Sequence, residues 1–179
     1  RRPPFFEGWY YKLVSADEKT RLAVIPGVIL GEDAHCFVQT LDGVSGKSSY
    51  FRYPYEAFWA SRRELDIAVG PNRFTRTDLK LDLPEGDVSL KGTIALHTPT
   101  AWPVSLLSPG IMGWYAWVPR MECYHGVLGF DHAVSGVVHY NRTAVRFAGG
   151  RGYMEKDWGM AFPSAWVWFQ SNHFQNQRA

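Results

Sequence analysis

Hydrophobic and polar residues alternate along the chain in short stretches that are separated by turn residues. Over 74–83 and 88–96, leucine, isoleucine or valine recurs at alternate positions, with a Pro84-Glu-Gly-Asp87 turn between the two stretches. A period of two is typical of antiparallel strands, so this pair predicts a β-hairpin. The same pattern predicts strands at 22–25, 34–40, 48–53, 121–134, 136–140, 144–148, 152–157 and 165–174.

No stretch has the period of a long amphipathic helix. About ten short strands in 179 residues predict an all-β fold, an antiparallel barrel or sandwich. A closed barrel of about eight strands is just wide enough to hold one small ligand. The length of the chain fits a single β domain over 1–179.

The last predicted strand carries large side chains on both faces. Trp166 and Trp168 share one face, whereas Val167 and Phe169 share the other. A strand of this kind needs cover on both sides. We therefore expect either a stand-alone barrel or the first of two related domains in a longer protein.

Aromatic residues make up 16% of the chain, and 46% of its residues are hydrophobic, which excludes a disordered tail, a collagen or a coiled coil. The formal net charge is only +2, and clustered basic residues are scarce, so we expect no nucleic acid partner. Cys36 and Cys123 are too few for a disulfide framework and have the wrong pattern for zinc. We expect both to be buried free thiols.

The longest uncharged run, Thr98 to Pro119, is about as long as a helix that spans a bilayer. It contains four prolines and two glycines, so it does not cross a membrane as a helix. Two interpretations stay open. The run is either an apolar loop over a pocket or at a bilayer surface, or a buried connection beside the core.

Glu122 and His125 have the spacing of a metal-binding pair on a helix. On a strand, however, residues three apart point to opposite faces and do not converge. We therefore predict no metal site, and a core histidine is the competing interpretation of His125.

The densest cluster of reactive side chains lies at 152–159. Tyr153, Glu155 and Asp157 fall on one face of an extended segment, which places the two carboxylates about 6–7 Å apart. If the pair is buried, each carboxyl group shifts the pKa of the other. An acid that stays protonated near neutral pH is a usable proton donor. The alternative is a solvated edge that makes surface ion pairs.

Tryptophans surround this cluster, with Trp158, Trp166 and Trp168 within eleven residues. Aromatic faces attract cations, by about 2 kcal/mol in a dry cavity. A ring-lined cavity with one protonated carboxyl group suits acid-initiated chemistry on an alkene. A large aromatic core would give the same composition.

Three stretches together resemble the tocopherol cyclase family. They are Phe6-Glu-Gly-Trp-Tyr-Tyr-Lys12, Val118-Pro-Arg-Met-Glu-Cys-Tyr-His-Gly-Val127, and Gly150-Arg-Gly-Tyr-Met-Glu-Lys-Asp-Trp-Gly159 running on through 162–174. The resemblance implies a lipocalin-like β architecture that often continues into a second, related domain.

The resemblance also implies a reaction. Tocopherol cyclases protonate a prenyl double bond and capture the tertiary cation with a phenol oxygen, which closes a chromanol ring. The more distant carotenoid hydratase (hydroxyneurosporene synthase) group captures the cation with water and uses an acidic residue in a Tyr-x-Asp motif. Tyr153-Met-Glu155 occupies what looks like the corresponding place here, with glutamate for aspartate.

We therefore expect a tocopherol cyclase-like enzyme that needs no cofactor and acts on a hydrophobic prenylated quinol or polyene. Glu155 is the expected proton donor, and Tyr153, Asp157 and His125 complete the predicted catalytic set. The predicted substrate-binding residues are Trp9, Glu122, Trp158, Trp166, Trp168 and Asn172.

The alternative is a non-catalytic isoprenoid- or pigment-binding protein, or an accessory subunit of a membrane assembly. The apparent lack of a signal segment and the reduced cysteines favour an intracellular site, in a plastid or a bacterial cytoplasm. A lipid substrate implies peripheral association with a membrane surface.

Overall fold

The computed structural model describes residues 3–84 and 89–172. Two short 3-10 helices, Tyr55–Ala57 and Gly113–Trp117, accompany twelve strands in these residues. The strands are β1 (Phe5–Val14), β2 (Arg21–Leu30), β3 (His35–Asp42), β4 (Ser48–Pro54), β5 (Phe58–Ala60), β6 (Asp66–Val69), β7 (Asn72–Thr75), β8 (Asp78–Leu83), β9 (Leu90–Thr100), β10 (Cys123–Tyr140), β11 (Thr143–Arg146) and β12 (Gly150–Gly159).

All twelve strands belong to one antiparallel sheet that curls into a nearly closed barrel. The order is β4-β3-β2-β1-β12-β10-β9-β8-β7-β6-β5, with β11 paired to β10. The two end strands, β4 and β5, follow each other in the chain through the first 3-10 helix. Since strands fill 57% of the described residues and helices 5%, the predicted all-β antiparallel class is confirmed.

The strand predictions succeed where alternation is clear. β8 and β9 form the predicted hairpin, with Leu83 opposite Leu90, while residues 85–87 of its turn lie outside the described residues. The strands predicted at 121–134 and 136–140 are one strand, β10, interrupted by bulges on either side of Gly129. The prediction at 165–174 is wrong for the described part, 165–172, which forms no strand.

The barrel interior is packed with large side chains. Tyr11, Phe74 and Phe147 are fully buried there, together with aliphatic residues from most strands. Two glycines allow β9 and β10 to approach closely at one point. Gly92 has φ +150° and Gly136 has φ +123°, and a Cβ atom on either would lie within 2.4 Å of a backbone oxygen of the opposite strand.

Segment 101–119 is exposed or half-buried throughout, so its interpretation as a buried connection is wrong. Leu107 is 99% exposed, and Trp114 is 64% exposed. The segment touches the sheet at the start of β10, where the backbone N–H of His125 donates to Met112 Sδ at 3.0 Å. In the described residues, we find no helix long and apolar enough to cross a bilayer.

Both cysteines are free thiols, as expected. Cys36 is buried in the barrel core, but Cys123 is only half-buried at the start of β10. Burial raises the pKa of the Cys123 thiol to about 11, with a smaller contribution from the charge of Asp157.

Candidate functional site

The site is built on β12, which lies between β1 and β10 and presents different residues to its two sides. Met154 packs in the barrel core. Lys156 and Trp158 also face inward, because alternate residues of a strand point to the same side. Tyr153, Glu155 and Asp157 share the outer face, as the alternation predicts. β1 places Lys12 opposite Tyr153 and Tyr10 opposite Glu155, and β10 places His125 opposite Asp157.

Glu155 is only 6% exposed, although it lies outside the barrel core. The Tyr153 hydroxyl donates to Glu155 Oε2 at 2.5 Å, and the Trp168 indole Nε1–H donates to the same oxygen at 3.2 Å. Burial raises the pKa of the Glu155 carboxyl, and these two hydrogen bonds oppose that rise without cancelling it. The site therefore favours a neutral acid over a wider pH range than water does.

His125 lies between the two carboxyl groups. Its Nδ1 is 2.8 Å from Asp157 Oδ1, and its Nε2 is 3.7 Å from Glu155 Oε2. The hydrogen bond to Asp157 raises the pKa of the His125 ring, against the opposing effect of burial. The three groups therefore form a row from the half-buried Asp157 to the buried Glu155, with one hydrogen bond and one 3.7 Å charge contact.

Three aromatic rings gather around the Glu155 carboxyl group. The ring centroids of Tyr10 and Trp168 are 5.5 Å apart, those of Tyr153 and Trp168 6.1 Å, and those of Tyr10 and Tyr153 6.5 Å. Burial, and then the charge of Glu155, raises the pKa of the Tyr10 hydroxyl to about 12. The sequence did not reveal Tyr10 as a site residue, because no strand was predicted at β1.

The outer face is covered by an extended segment, residues 162–172, which we call the strap. It forms no β-ladder with the described sheet, yet its even-numbered residues from Trp168 to Asn172 turn toward the sheet. Asn172 Nδ2 donates to Gly152 O at 3.0 Å and to Asp131 Oδ1 at 2.9 Å. Val167 and Phe169 point away and are 98% and 89% exposed.

The remaining predicted binding residues lie elsewhere. Trp166 is 66% exposed and packs near Phe162, with ring centroids 5.8 Å apart. Glu122 is exposed just before β10, and its backbone carbonyl accepts hydrogen bonds from the N–H groups of Met160 and Ala161. Neither side chain has a described contact with Glu155.

Trp9 and Trp158 lie on the inner side of the sheet with Lys156. The Lys156 ammonium is 5.1 Å from the ring centroid of Trp9 and 5.3 Å from that of Trp158, and it pairs with Glu7. Trp158 also stacks on Tyr124, with centroids 5.7 Å apart. The predicted tryptophans therefore lie on two sides of one sheet, and only Trp168 contacts the candidate acid.

Comparison with known proteins identifies one region of the chain. Residues 95–179, or 85 of 179, match the family model described as Tocopherol cyclase-like. The expected resemblance to the tocopherol cyclase family is confirmed over this part of the chain. It contains β10, β12 and the strap, and with them every predicted site residue except Trp9.

The chain also resembles solved structures in fold. A putative AttH from Nitrosomonas europaea matches with a TM-score of 0.55 and 15% identity, over 89% of this chain and 52% of that one. CghA, solved with Sch210972, matches with a TM-score of 0.52 and 12% identity, over 88% of this chain and 46% of CghA. The chain thus spans about half the length of these two proteins, and the likeness supports the lipocalin-like barrel alone. No curated protein matches significantly.

The tocopherol cyclase-like region also groups three side chains of metal-ligating type. The ligand atoms of His125, Glu155 and Asp157 all lie within 4.8 Å of one another. One imidazole and two carboxylates form a donor set that divalent transition metals accept. His125 makes a hydrogen bond to Asp157 through Nδ1, and its Nε2 lies 3.7 Å from Glu155 Oε2.

Proposed function

We propose that this tocopherol cyclase-like chain catalyses acid-initiated cyclisation of a prenylated quinol to a chromanol on the outer face of β12. Glu155 is the proton donor. The observation that carries the proposal is a nearly fully buried carboxyl group with a raised pKa, enclosed by the rings of Tyr10, Tyr153 and Trp168.

The proposed reaction rearranges bonds without net oxidation. The π electrons of the prenyl double bond form a C–H bond with the proton of Glu155, and the O–H bond of that carboxyl group breaks. A tertiary carbocation results, and the phenol oxygen of the same substrate attacks it to form the C–O bond. The phenol proton then leaves to the Glu155 carboxylate, directly or through His125, so the acid is restored.

The side chains near Glu155 suit both stages of this reaction. The hydrogen bonds from Tyr153 and Trp168 both reach Oε2, which leaves Oε1 as the oxygen that carries the proton. The three surrounding rings stabilise the carbocation by cation–π attraction of about 2 kcal/mol when water is excluded. His125 returns the proton, and Asp157 holds the histidine ring in place.

The experiment is to replace Glu155 by Gln and to offer a dimethyl phytyl quinol. General acid catalysis contributes roughly 10²- to 10⁴-fold, so we expect chromanol formation to fall by that factor while substrate binding persists. Glu64→Gln, an exposed acid between β5 and β6, is the matched control. Undiminished cyclisation in Glu155→Gln would remove Glu155 from the mechanism.

A second candidate function, isoprenoid binding or an accessory role in a membrane assembly, is favoured by a different observation. Two uncharged segments, 101–119 and the strap, expose large apolar side chains, among them Leu107, Val167 and Phe169. Trp and Tyr are enriched where proteins meet a membrane surface. This candidate places the protein at a membrane inside the cell, with an isoprenoid held in the same site.

The two candidates give different results in one preparation. Lipid that co-purifies without turnover, or retention in a large complex after detergent extraction, supports the accessory role. Chromanol formation by the detergent-free chain supports the enzyme.

A further inference from the structure

Lys12 and Gln170 lie beside the candidate acid, and the proposed reaction has given neither a role. Lys12 extends from the outer face of β1 opposite Tyr153, two residues after Tyr10. Gln170 is the strap residue above it, and Lys12 Nζ donates to Gln170 Oε1 at 2.5 Å. The two side chains thus border the ring-lined region around Glu155.

These side chains bring two donor groups together, the Lys12 ammonium and the Gln170 amide nitrogen. A lysine ammonium has three N–H donors, and the acceptors that the described residues offer to Lys12 are both on Gln170, its Oε1 and its backbone oxygen at 3.5 Å. Gln170 Nε2 is buried and has no acceptor among the described residues. Because Nε2 shares a carbon with Oε1, the amide N–H groups lie next to the ammonium.

A buried donor without an acceptor destabilises a protein, so such groups are usually satisfied by a ligand or water. The carboxyl group of Glu155 is close enough for its charge to act on Lys12, but it already accepts from Tyr153 and Trp168. Protonation of Glu155 removes that nearby negative charge. Lys12 then has only the two Gln170 oxygens as described acceptors, and Gln170 Nε2 has none, at the stage when the substrate is bound.

We propose that Lys12 and Gln170 together bind an acceptor oxygen on the polar head of the substrate and are specificity-determining residues of this site. The inference rests on the proposed function, because it places the same ligand on the same face of β12. A site with paired polar donors rejects an analogue that lacks the acceptor, since the donors are then buried without a partner. An oxygenated ring at the Lys12 end places the prenyl chain under the rings that surround Glu155.

The test compares two ligands of equal chain length, a farnesyl benzoquinol kept reduced and farnesylbenzene, which lacks the ring oxygens. Binding to the full chain is followed by quenching of tryptophan fluorescence. Lys12→Met is expected to weaken quinol binding roughly 10- to 100-fold, the range for a hydrogen bond to a charged group, and to leave farnesylbenzene binding unchanged. Gln170→Leu should weaken quinol binding in the same selective way, and Lys12→Arg should restore most of it.

Lys91→Met is the matched control, because Lys91 is exposed on β9 and pairs with Asp82. Equal binding of the quinol by the wild type, Lys12→Met and Gln170→Leu would overturn the inference. Equal weakening of both ligands would also overturn it, because it indicates a structural role. If Lys12→Met does not fold, Gln170→Leu decides alone, since the strap lies outside the β-ladders. Binding of neither ligand by the wild type would instead defeat the proposed function.

Discussion

His125 and Asp157 are direct partners across β10 and β12, and their side chains meet through Nδ1 and Oδ1 at 2.8 Å. Each side chain is 25% exposed, so water reaches the pair, while Glu155 beside it is buried. A chain of titratable groups that runs from solvent to a buried acid is a route for returning protons. The pair also sets the tautomer of the imidazole, because a proton on Nδ1 leaves Nε2 free to face Glu155.

We expect Asp157→Asn to lower the pKa of His125, since the hydrogen bond to the Asp157 carboxylate is the largest cause of its rise. The raised pKa stabilises the fold at low pH, and that contribution is lost as the pH rises through the His125 pKa of the folded state. The variant should lose part of this stabilisation. NMR titration of the histidine ring protons measures the shift, and Asp82→Asn, at an exposed carboxylate, is the control. An unchanged His125 titration would refute the assignment.

Glu155 should make folding less favourable as the pH rises. Its folded-state pKa is raised above 4.5, so between 4.5 and that higher pKa the unfolded chain has released a proton that the folded chain still holds. The free energy of unfolding of the wild type should therefore fall across this window relative to Glu155→Gln. Urea unfolding of both proteins between pH 4 and pH 8 measures the difference. Parallel curves would contradict the buried neutral acid, and Glu64→Gln should follow the wild type.

Trp168→Phe keeps an aromatic ring over the site but removes the indole N–H that donates to Glu155. This hydrogen bond lowers the pKa of Glu155, so its loss should raise that pKa further. Carbon-13 NMR of the glutamate carboxyl groups reports the change. Trp59→Phe, at a half-exposed tryptophan of β5, should leave the Glu155 titration where it was. A fall in the Glu155 pKa would show that the indole does not stabilise the carboxylate.

The fold was predictable where one face of a strand is exposed to solvent and the other is buried. β8 and β9 are of this kind, and the sequence shows a clear alternation there. β1 was missed because its inner face packs in the core while its outer face lies under the strap, so its sequence, FFEGWYYKLV, has no clean period of two. The short strands β5 and β6 are only three and four residues long and escaped prediction for lack of length.

Only the part of the site that lies on a single strand was predictable from the sequence. Tyr153, Glu155 and Asp157 share a face by their own spacing, which needs no tertiary information. The approach of His125 depends on the register between β10 and β12, across bulges that the sequence does not reveal. Lys12 and Tyr10 depend on the unpredicted β1. Trp9 and Trp158 were grouped with Trp168 by composition, which does not distinguish the two sides of a sheet.

Gly92→Ala should destabilise the barrel by about 2 kcal/mol or more, because a Cβ atom would lie 2.4 Å from Val137 O and the backbone has φ +150°. Thermal and urea unfolding measure the loss. Gly31→Ala is the matched control, since no atom lies within 4 Å of its added Cβ, and its effect should stay within about 0.5 kcal/mol. Equal stability of the two variants would contradict the close approach of β9 and β10.

Lys156→Met should destabilise the chain by about 1–3 kcal/mol, because it removes the positive charge that Lys156 places against the largely buried Glu7 carboxylate. Glu7→Gln combined with Lys156→Met should recover part of that loss, since both charges are then removed. A double-mutant cycle of unfolding free energies should give a coupling of about 0.5–3 kcal/mol. Strict additivity would mean that the pair contributes nothing to folding.

Glu155 and Lys156 are consecutive residues on opposite sides of β12, and this adjacency constrains how the protein can change over evolution. Inserting or deleting one residue upstream within the strand would turn Lys156 toward the strap and Glu155 toward the packed interior. The inner ion pair and the outer hydrogen bonds of Glu155 would be lost together. Substitutions can adjust the acid, its rings or the inner ion pair one at a time, so diversification at this strand should proceed by replacement at constant length.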